Sequence, residues 1–336
     1  MSVKRARETI ITKYDCNRYF YSKKSPFILI LERHHSPLVI FKQIKPTLSL
    51  AIFLFSKYSG YSEAPDFNKI KPDLVIPKIE SGPVVAGKRI KPILPSYEQT
   101  SVYHVIYLPN DWQPDKSYPL LVEYAGNKYS GANGDISSGR PEGSKMGYGI
   151  SAGQGFIWVC LPYLNASGSK ISLTWWGDSK NRTIKPTIDY CLKAIPWICN
   201  KYGGDPKKVI LCGFSRGAIA CNYLGLKNDQ IAKLWRAFIA YSHYDGIAPW
   251  PYPQSERKAA LERLERLGTR QQFICHEITE SKLNLAATKR MLNATSKEKQ
   301  FTFAETGFRN HDDAWLLRPS SARKKLRQWL ESEIQQ

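Results

Sequence analysis

The chain has 336 residues, 42% of them hydrophobic and 12% aromatic, with a formal net charge of +20. That apolar content excludes a disordered or fibrous chain and suffices for one large domain or two small ones. The charge raises a polyanion partner such as nucleic acid, but the basic residues are scattered and no zinc spacing, basic zipper, RNP-like stretch or P-loop is present, so a solvated basic surface is the simpler expectation.

Residues 1–41 carry basic clusters without periodicity and form a doubtful N-terminal extension. Residues 42–64 run from Lys42-Gln43-Ile44-Lys45-Pro46 through an apolar stretch, Thr47–Phe55, to small residues at Ser62 and Ala64. A positive segment, a short apolar segment and small residues at the cleavage-determining positions make the order of a signal peptide. The apolar run is too short to span a bilayer. Its internal position predicts a true start near Leu38 to Ile40, with residues 1–37 an over-extended reading frame; the alternative is a genuine basic extension before a buried or membrane-associated segment. The expected location is secreted or periplasmic, without a stable membrane span.

Residues 65–100 are Pro- and Lys-rich and predict an extended linker or lead-in. One domain is expected over 101–336. Alternation predicts a strand at Ser101–Leu108, and apolar runs predict strands at Tyr118–Tyr124 and Phe156–Leu161, with a Gly- and Ser-rich loop over 126–149 between them. Then follow a helix at Thr183–Lys201, a strand at Lys208–Gly213, a helix at Arg216–Leu226, a strand at Ala237–Ser242 and a helix at Ser255–Leu267. Gln271–His276 is a strand, 282–293 a helix, Gln300–Ala304 a short strand and Ala322–Ile334 a closing helix. Apolar strands alternating with helices predict an α/β fold: a mostly parallel, twisted sheet covered on both faces, with no large lid domain. The seven cysteines lack metal-ligand spacing. Cys160, Cys212 and Cys275 lie in apolar runs and are expected to be buried, while Cys191, Cys199 and Cys221 fall on helices, where a disulfide stays open if the protein is exported.

The most informative stretch is Val209-Ile210-Leu211-Cys212-Gly213-Phe214-Ser215-Arg216-Gly217-Ala218. Gly-x-Ser-x-Gly occurs by chance, but here a strand-length apolar run precedes it and small helix-compatible residues follow. The two glycines permit a sharp turn and close helix packing, which would leave the Ser215 hydroxyl exposed on a strained corner. An ordinary strand-to-helix turn is the bland alternative. A serine hydroxyl needs a base to take its proton. Of six histidines, His311 lies latest, in the loop before the closing helix; His243 and His276, at strand ends, are runners-up. The acid that would hold the imidazole is Glu280, in the loop after the Gln271–His276 strand, with Asp245 and Glu277 as alternatives; Asp312 and Asp313 fit loop-capping roles. An oxyanion would be met by the backbone N–H of Arg216 and by one from Gly126 or Asn127. Trp175 and Trp176 belong to the same carboxyl edge of the sheet and would either stack on a sugar or aromatic group or roof the core.

Gly213-Phe214-Ser215-Arg216-Gly217-Ala218, the late His311 and the order of elements resemble the α/β-hydrolase superfamily over roughly Val102 to Ile334. The likeness is greatest to its secreted esterases of the polyhydroxyalkanoate-depolymerase and feruloyl-esterase kind. The resemblance implies a Ser-acid-His triad, an acyl-enzyme intermediate, no metal and no organic cofactor. Two departures are visible: Glu280 stands at the position of the usual acid aspartate, and Ala125-Gly126-Asn127 replaces a His-Gly-Gly loop. The expected activity is serine-dependent hydrolysis of a carboxylic ester, first among carbohydrate-linked and other extracellular esters. A prolyl-oligopeptidase-like peptidase and a noncatalytic polyanion-binding module on the same scaffold are the rivals.

Overall fold

The computed structural model describes residues 64–131, 135–177 and 182–335, so the expected extension and almost all of the expected signal peptide lie outside the described residues. In chain order the strands and helices are β1 (Ile79–Glu80), β2 (Arg89–Ile90), β3 (Val105–Tyr107), β4 (Tyr118–Tyr124), β5 (Tyr129–Ser130), β6 (Ile136–Ser137), α1 (Met146–Ser151), β7 (Ile157–Leu161), α2 (Lys185–Tyr202), β8 (Gly204–Phe214), α3 (Arg216–Tyr223), α4 (Asp229–Ala232), β9 (Ala237–Tyr241), α5 (Arg257–Leu264), β10 (Gln271–His276), α6 (Leu285–Asn293), β11 (Phe301–Glu305) and α7 (Ser321–Gln335).

Among the described residues nine strands form one sheet in the order β1-β2-β3-β7-β4-β8-β9-β10-β11, and β5 and β6 make a separate hairpin. The run from β7 to β11 is parallel throughout, while β3 is antiparallel to both β2 and β7. Strand alternation sends Leu120, Val122, Val209, Leu211, Phe238 and Ala240 to one core and Leu121, Ile210, Cys212, Ala237, Ile239 and Tyr241 to the other. The first core is closed by Ile188, Cys191 and Ile195 of α2, Ala218 and Ile219 of α3, and Met291 and Leu292 of α6. The second is closed by Met146 and Ile150 of α1 and Leu326 and Leu330 of α7. A parallel sheet whose strands are apolar on both faces requires that double cover, as the sequence pattern predicts.

Two segments differ from the sequence expectation. Residues 65–100 do not form a free linker. They give β1 and β2 to the sheet edge, Phe67 packs edge-on against Phe308 at 6.1 Å, and Asp73 pairs with Arg323. The 126–149 loop contains β5, β6 and the start of α1. The start of α1 is set by a long-range cap: buried Glu123 of β4 accepts the backbone N–H groups of Lys145, Met146 and Gly147 at 3.2, 3.1 and 2.9 Å, and the Trp158 indole N–H at 2.8 Å. Those are donors that a helix start leaves without internal partners, and here a carboxylate distant in sequence satisfies them. The six described cysteines are unpaired, and Cys160, Cys212 and Cys275 are buried as expected. Among the described residues no helix is long and apolar enough to cross a membrane.

Candidate active site

The carboxyl ends of β4, β8, β9, β10 and β11, neighbours in the sheet, each lead into a segment that bears a polar group of one cluster. Ser215 follows β8 directly, with φ 55° and ψ −111°, a conformation costly for any residue but glycine. Its N–H donates to Tyr241 O at 2.9 Å, which fixes the corner against β9. The turn is tight enough that a Cβ on Gly213 would come within 2.3 Å of the Gly217 carbonyl carbon, and one on Gly217 within 2.0 Å of Tyr124 O. Ser215 is 9% exposed, and its hydroxyl makes no hydrogen bond among the described residues. The sharp strand-to-helix corner read in the sequence is therefore formed, with the Ser215 hydroxyl on it uncommitted.

His311 stands in the loop between β11 and α7. That loop is held from several sides. Asp135 accepts from the His311 N–H and from Asn310 Nδ2, both at 3.3 Å; Phe67 N donates to Asn310 Oδ1 at 2.9 Å; and the Tyr241 hydroxyl donates to Asn310 O at 2.9 Å. The imidazole packs 4.7 Å from the Phe214 ring, beside the elbow, but is not hydrogen bonded to Ser215.

The carboxylate on His311 is Glu277, at 2.8 Å from Nδ1 to Oε1. This corrects the sequence expectation, which put Glu280 first. Glu277 immediately follows β10, and the chain there is tied to the histidine loop by Ile278 N donating to Phe308 O at 2.8 Å. Three residues on, Glu280 is exposed. Asp245 is occupied elsewhere: it is buried in a two-point pair with Arg263, Nε to Oδ2 at 2.9 Å and Nη2 to Oδ1 at 3.0 Å. Asp312 caps the following 3₁₀ turn by accepting from Ala314 N, and with Asp313 it holds Lys145 Nζ at 2.9 and 2.7 Å.

Burial would raise the Glu277 carboxyl, but the hydrogen bond and charge of His311, with His276 beside it, outweigh that and hold it at about 2. Burial likewise opposes protonation of His311, yet Glu277 first, then Asp135 and Asp312, raise its pKa above the ordinary histidine value. His243 is different: burial, with the neighbouring His311, pushes it down to about 3, and its ring stacks on Trp250 at 5.1 Å. His276 Nδ1 faces Glu277, 2.9 Å from its backbone O, and its buried Nε2 has no hydrogen-bond partner among the described residues. Neither runner-up histidine is placed like His311.

Arg216 opens α3, so its backbone N–H has no partner four residues back. Its guanidinium is wholly buried over the Tyr163 ring at 3.7 Å and donates to Trp175 O, Gly126 O and Gly139 O at 2.7, 2.9 and 3.2 Å. Burial brings its pKa down to about 10, which still leaves it charged. Three carbonyls from two loops are thus tied to the residue after Ser215. Because the Gly126 carbonyl is engaged, the Gly126–Asn127 peptide plane is fixed; the N–H groups of Gly126 and Asn127 make no backbone hydrogen bond among the described residues. Asn127 also accepts the Trp175 N–H on its Oδ1 at 2.7 Å.

The tryptophan pair splits. Trp176 is fully buried among Tyr163, Tyr223 and Tyr252, and so belongs to the core, not to a binding face. Trp175, with φ 45°, is half-buried and meets Trp250 at 5.7 Å and Tyr252 at 5.5 Å. Trp250 leads through His243 to His311, two further ring contacts of 5.1 Å each. Sequence reading missed Ser242, Asp135 and Trp250. Ser242 and Trp250 follow β9, whose carboxyl end borders that of β8, and this adjacency was the available signal.

No protein-family model matches the chain, and no curated protein is detectably similar in sequence. Solved structures do resemble it. An acylaminoacyl peptidase of Pyrococcus horikoshii shares 13% identity at a TM-score of 0.50, over 74% of this chain and 41% of that one. A thermostable esterase shares 14% at 0.45, over 73% and 62%. An S-formylglutathione hydrolase from Agrobacterium tumefaciens shares 14% at 0.44, over 72% and 91%. The chain thus spans less than two thirds of the peptidase and of the esterase. At such identities the likeness is one of fold, and the fold is that of the α/β-hydrolases.

Proposed function

We propose that this chain is a serine hydrolase that cleaves carboxylic esters through an acyl-enzyme on Ser215. The observation that carries the reading is the pairing of a serine on a strained strand-to-helix corner with a histidine–carboxylate pair at 2.8 Å on neighbouring strand ends. Glu277 holds Nδ1–H of His311, leaving Nε2 as the base. Ser215 Oγ attacks the ester carbonyl carbon as His311 takes its proton. The carbonyl oxygen gains negative charge and is met by the Arg216 N–H and by one from Gly126 or Asn127. Collapse of the tetrahedral intermediate breaks the bond to the alcohol, which leaves with the proton from His311. Water, deprotonated by His311, then attacks the acyl-enzyme, and the acid is released with Ser215 restored. One oxyanion donor contributes about 3 kcal/mol in comparable sites.

For the substrate, the half-buried Trp175 and the Trp250–His243 face beside His311 support a ligand with a flat apolar side. With the net charge of +20, this favours carbohydrate-linked esters, including those on anionic glycans, as the substrate class we propose. Export is part of the same proposal and rests on the order of residues 42–64: a positive segment, the apolar run Thr47–Phe55 and small residues at Ser62 and Ala64. Peptidase activity is a second reading, favoured by the fold likeness to the acylaminoacyl peptidase.

A fluorophosphonate probe tests the reaction class. Wild-type protein is expected to be labelled and Ser215→Ala not. A folded wild-type protein that stays unlabelled would overturn the enzyme reading in favour of a binding module. A panel of acetyl, feruloyl, uronoyl and longer-chain esters beside N-acyl peptides then separates esterase from peptidase.

A further inference from the structure

A serine stands at the end of β9 where backbone geometry favours glycine. Ser242 has φ 83°, in the left-handed region that side chains avoid. It is buried, its N–H donates to Cys275 O at 2.8 Å, and its hydroxyl lies inside the candidate site. Ser242 Oγ is 2.8 Å from His311 Nδ1, 3.1 Å from Glu277 Oε1 and 3.3 Å from His243 Nδ1. Since Nδ1 and Oε1 are themselves 2.8 Å apart, the three atoms close a triangle.

We propose that Ser242 is a positioning residue whose hydroxyl, with Glu277, locks His311 in the tautomer that carries its proton on Nδ1. Hydrogen accounting leads there. The triangle holds one hydroxyl proton and at most one imidazole proton on Nδ1. Were the hydroxyl to donate to a bare Nδ1, an imidazole lone pair would face a carboxylate oxygen at 2.8 Å with no hydrogen between them. A proton on Nδ1 removes that conflict, and the Ser242 hydroxyl then donates to Glu277. The serine lone pair then faces Nδ1, and Nδ1–H is shared between two acceptors at equal distance. Nε2 is thereby left bare for the Ser215 proton. Strained backbone of this kind clusters at functional sites, and here it sets a hydroxyl against His311 and Glu277.

The inference rests on the proposed acyl transfer, and its test separates the two. Nitrogen-15 shifts of His311 in the wild-type protein, at a pH where the ring is neutral, should show the Nδ1–H tautomer; an Nε2–H ring would overturn the proposal whether or not the protein is an esterase. Ser242→Gly and Ser242→Ala should each lower kcat about tenfold, the scale of one lost hydrogen bond, with KM within about twofold. Ser242→Gly should melt at or above the wild-type temperature, because the strain is relieved. Full kcat in either variant would refute the proposal, as would a Ser242→Gly whose kcat falls only in step with its folded fraction. Wild type that resists the fluorophosphonate would instead remove the acyl-transfer reading, while the tautomer measurement still decides the role of Ser242.

Discussion

Replacing Glu277 by glutamine is the sharpest perturbation of the candidate site. It preserves the shape of the side chain and removes the charge opposite His311. A carboxyl held from its usual 4.5 down to about 2 favours its charged form by roughly 3 kcal/mol, and the hydrogen bond and charge of His311 are the main stabilising causes. If that preference is spent on the imidazolium formed during attack, its loss slows acylation about 100-fold. A ring free to adopt the wrong tautomer adds to this, since loss of the orienting acid costs about 10⁴ in serine peptidases. We expect Glu277→Gln to retain between about 1% and 0.01% of wild-type kcat on an activated acetyl ester. Glu280→Gln should stay within about twofold, as surface changes generally do. The pH profile gives a second readout. Glu277 raises the pKa of His311, and a base must be neutral to act, so wild-type kcat/KM should fall as pH drops through a value above 6.5. Removing the charge lowers that pKa, and the acidic limb of the profile should move to lower pH. Glu277→Gln with activity within about threefold of wild type, or an unmoved limb, would refute the assignment.

Two further predictions test the scaffold. Arg263→Ala strands Asp245 as a buried carboxylate, their side chains being only 5% and 1% exposed, and should destabilise the fold by about 3–5 kcal/mol in urea titration. Activity per folded molecule should persist; a specific loss of kcat with stability intact would return Asp245 to consideration as the acid. Gly217→Ala places a methyl 2.0 Å from Tyr124 O, so α3 must move away from β4 and carry Ser215 with it. A displacement of ~1 Å can cost about 100-fold in rate, and fluorophosphonate labelling should fall by that order; a labelled, fully active Gly217→Ala would show that the corner tolerates the shift.

The elbow and the fold were legible because their signals are local. A strand-length apolar run over Val209–Phe214, two glycines spaced around Ser215 and small helix-compatible residues after it point to the turn without reference to distant contacts. The carboxylate on His311 was not legible, because Glu277 and Glu280 differ only in how far the chain has turned past β10, and a contact with Phe308 sets that turn. Nor did adjacency in sequence decide the tryptophans: a positive φ at Trp175 directs that ring toward Trp250 and the next one into the core. The same holds for β1 and β2, two-residue strands too short to show a period, and for α1, capped by a carboxylate 22 to 24 residues earlier.

What the sequence carried more strongly than any motif was the position of strand ends. Gly126, Ser215, Ser242, Glu277 and His311 span nearly two hundred positions, yet they follow five strands that lie side by side. In a parallel sheet all such ends face one edge, so chain separation says little about distance there, and every polar residue just past a strand is a site candidate on equal terms. By that criterion Glu277, immediately past β10, outranks Glu280, which the chain has carried outward. Ser242, immediately past β9, enters the site as directly as Ser215 does. Weighing strand ends first and family spacing second favours Glu277, because the sheet fixes the first while loop length alters the second; Ser242 escaped because it read as the last residue of its strand, whereas the strand ends at Tyr241.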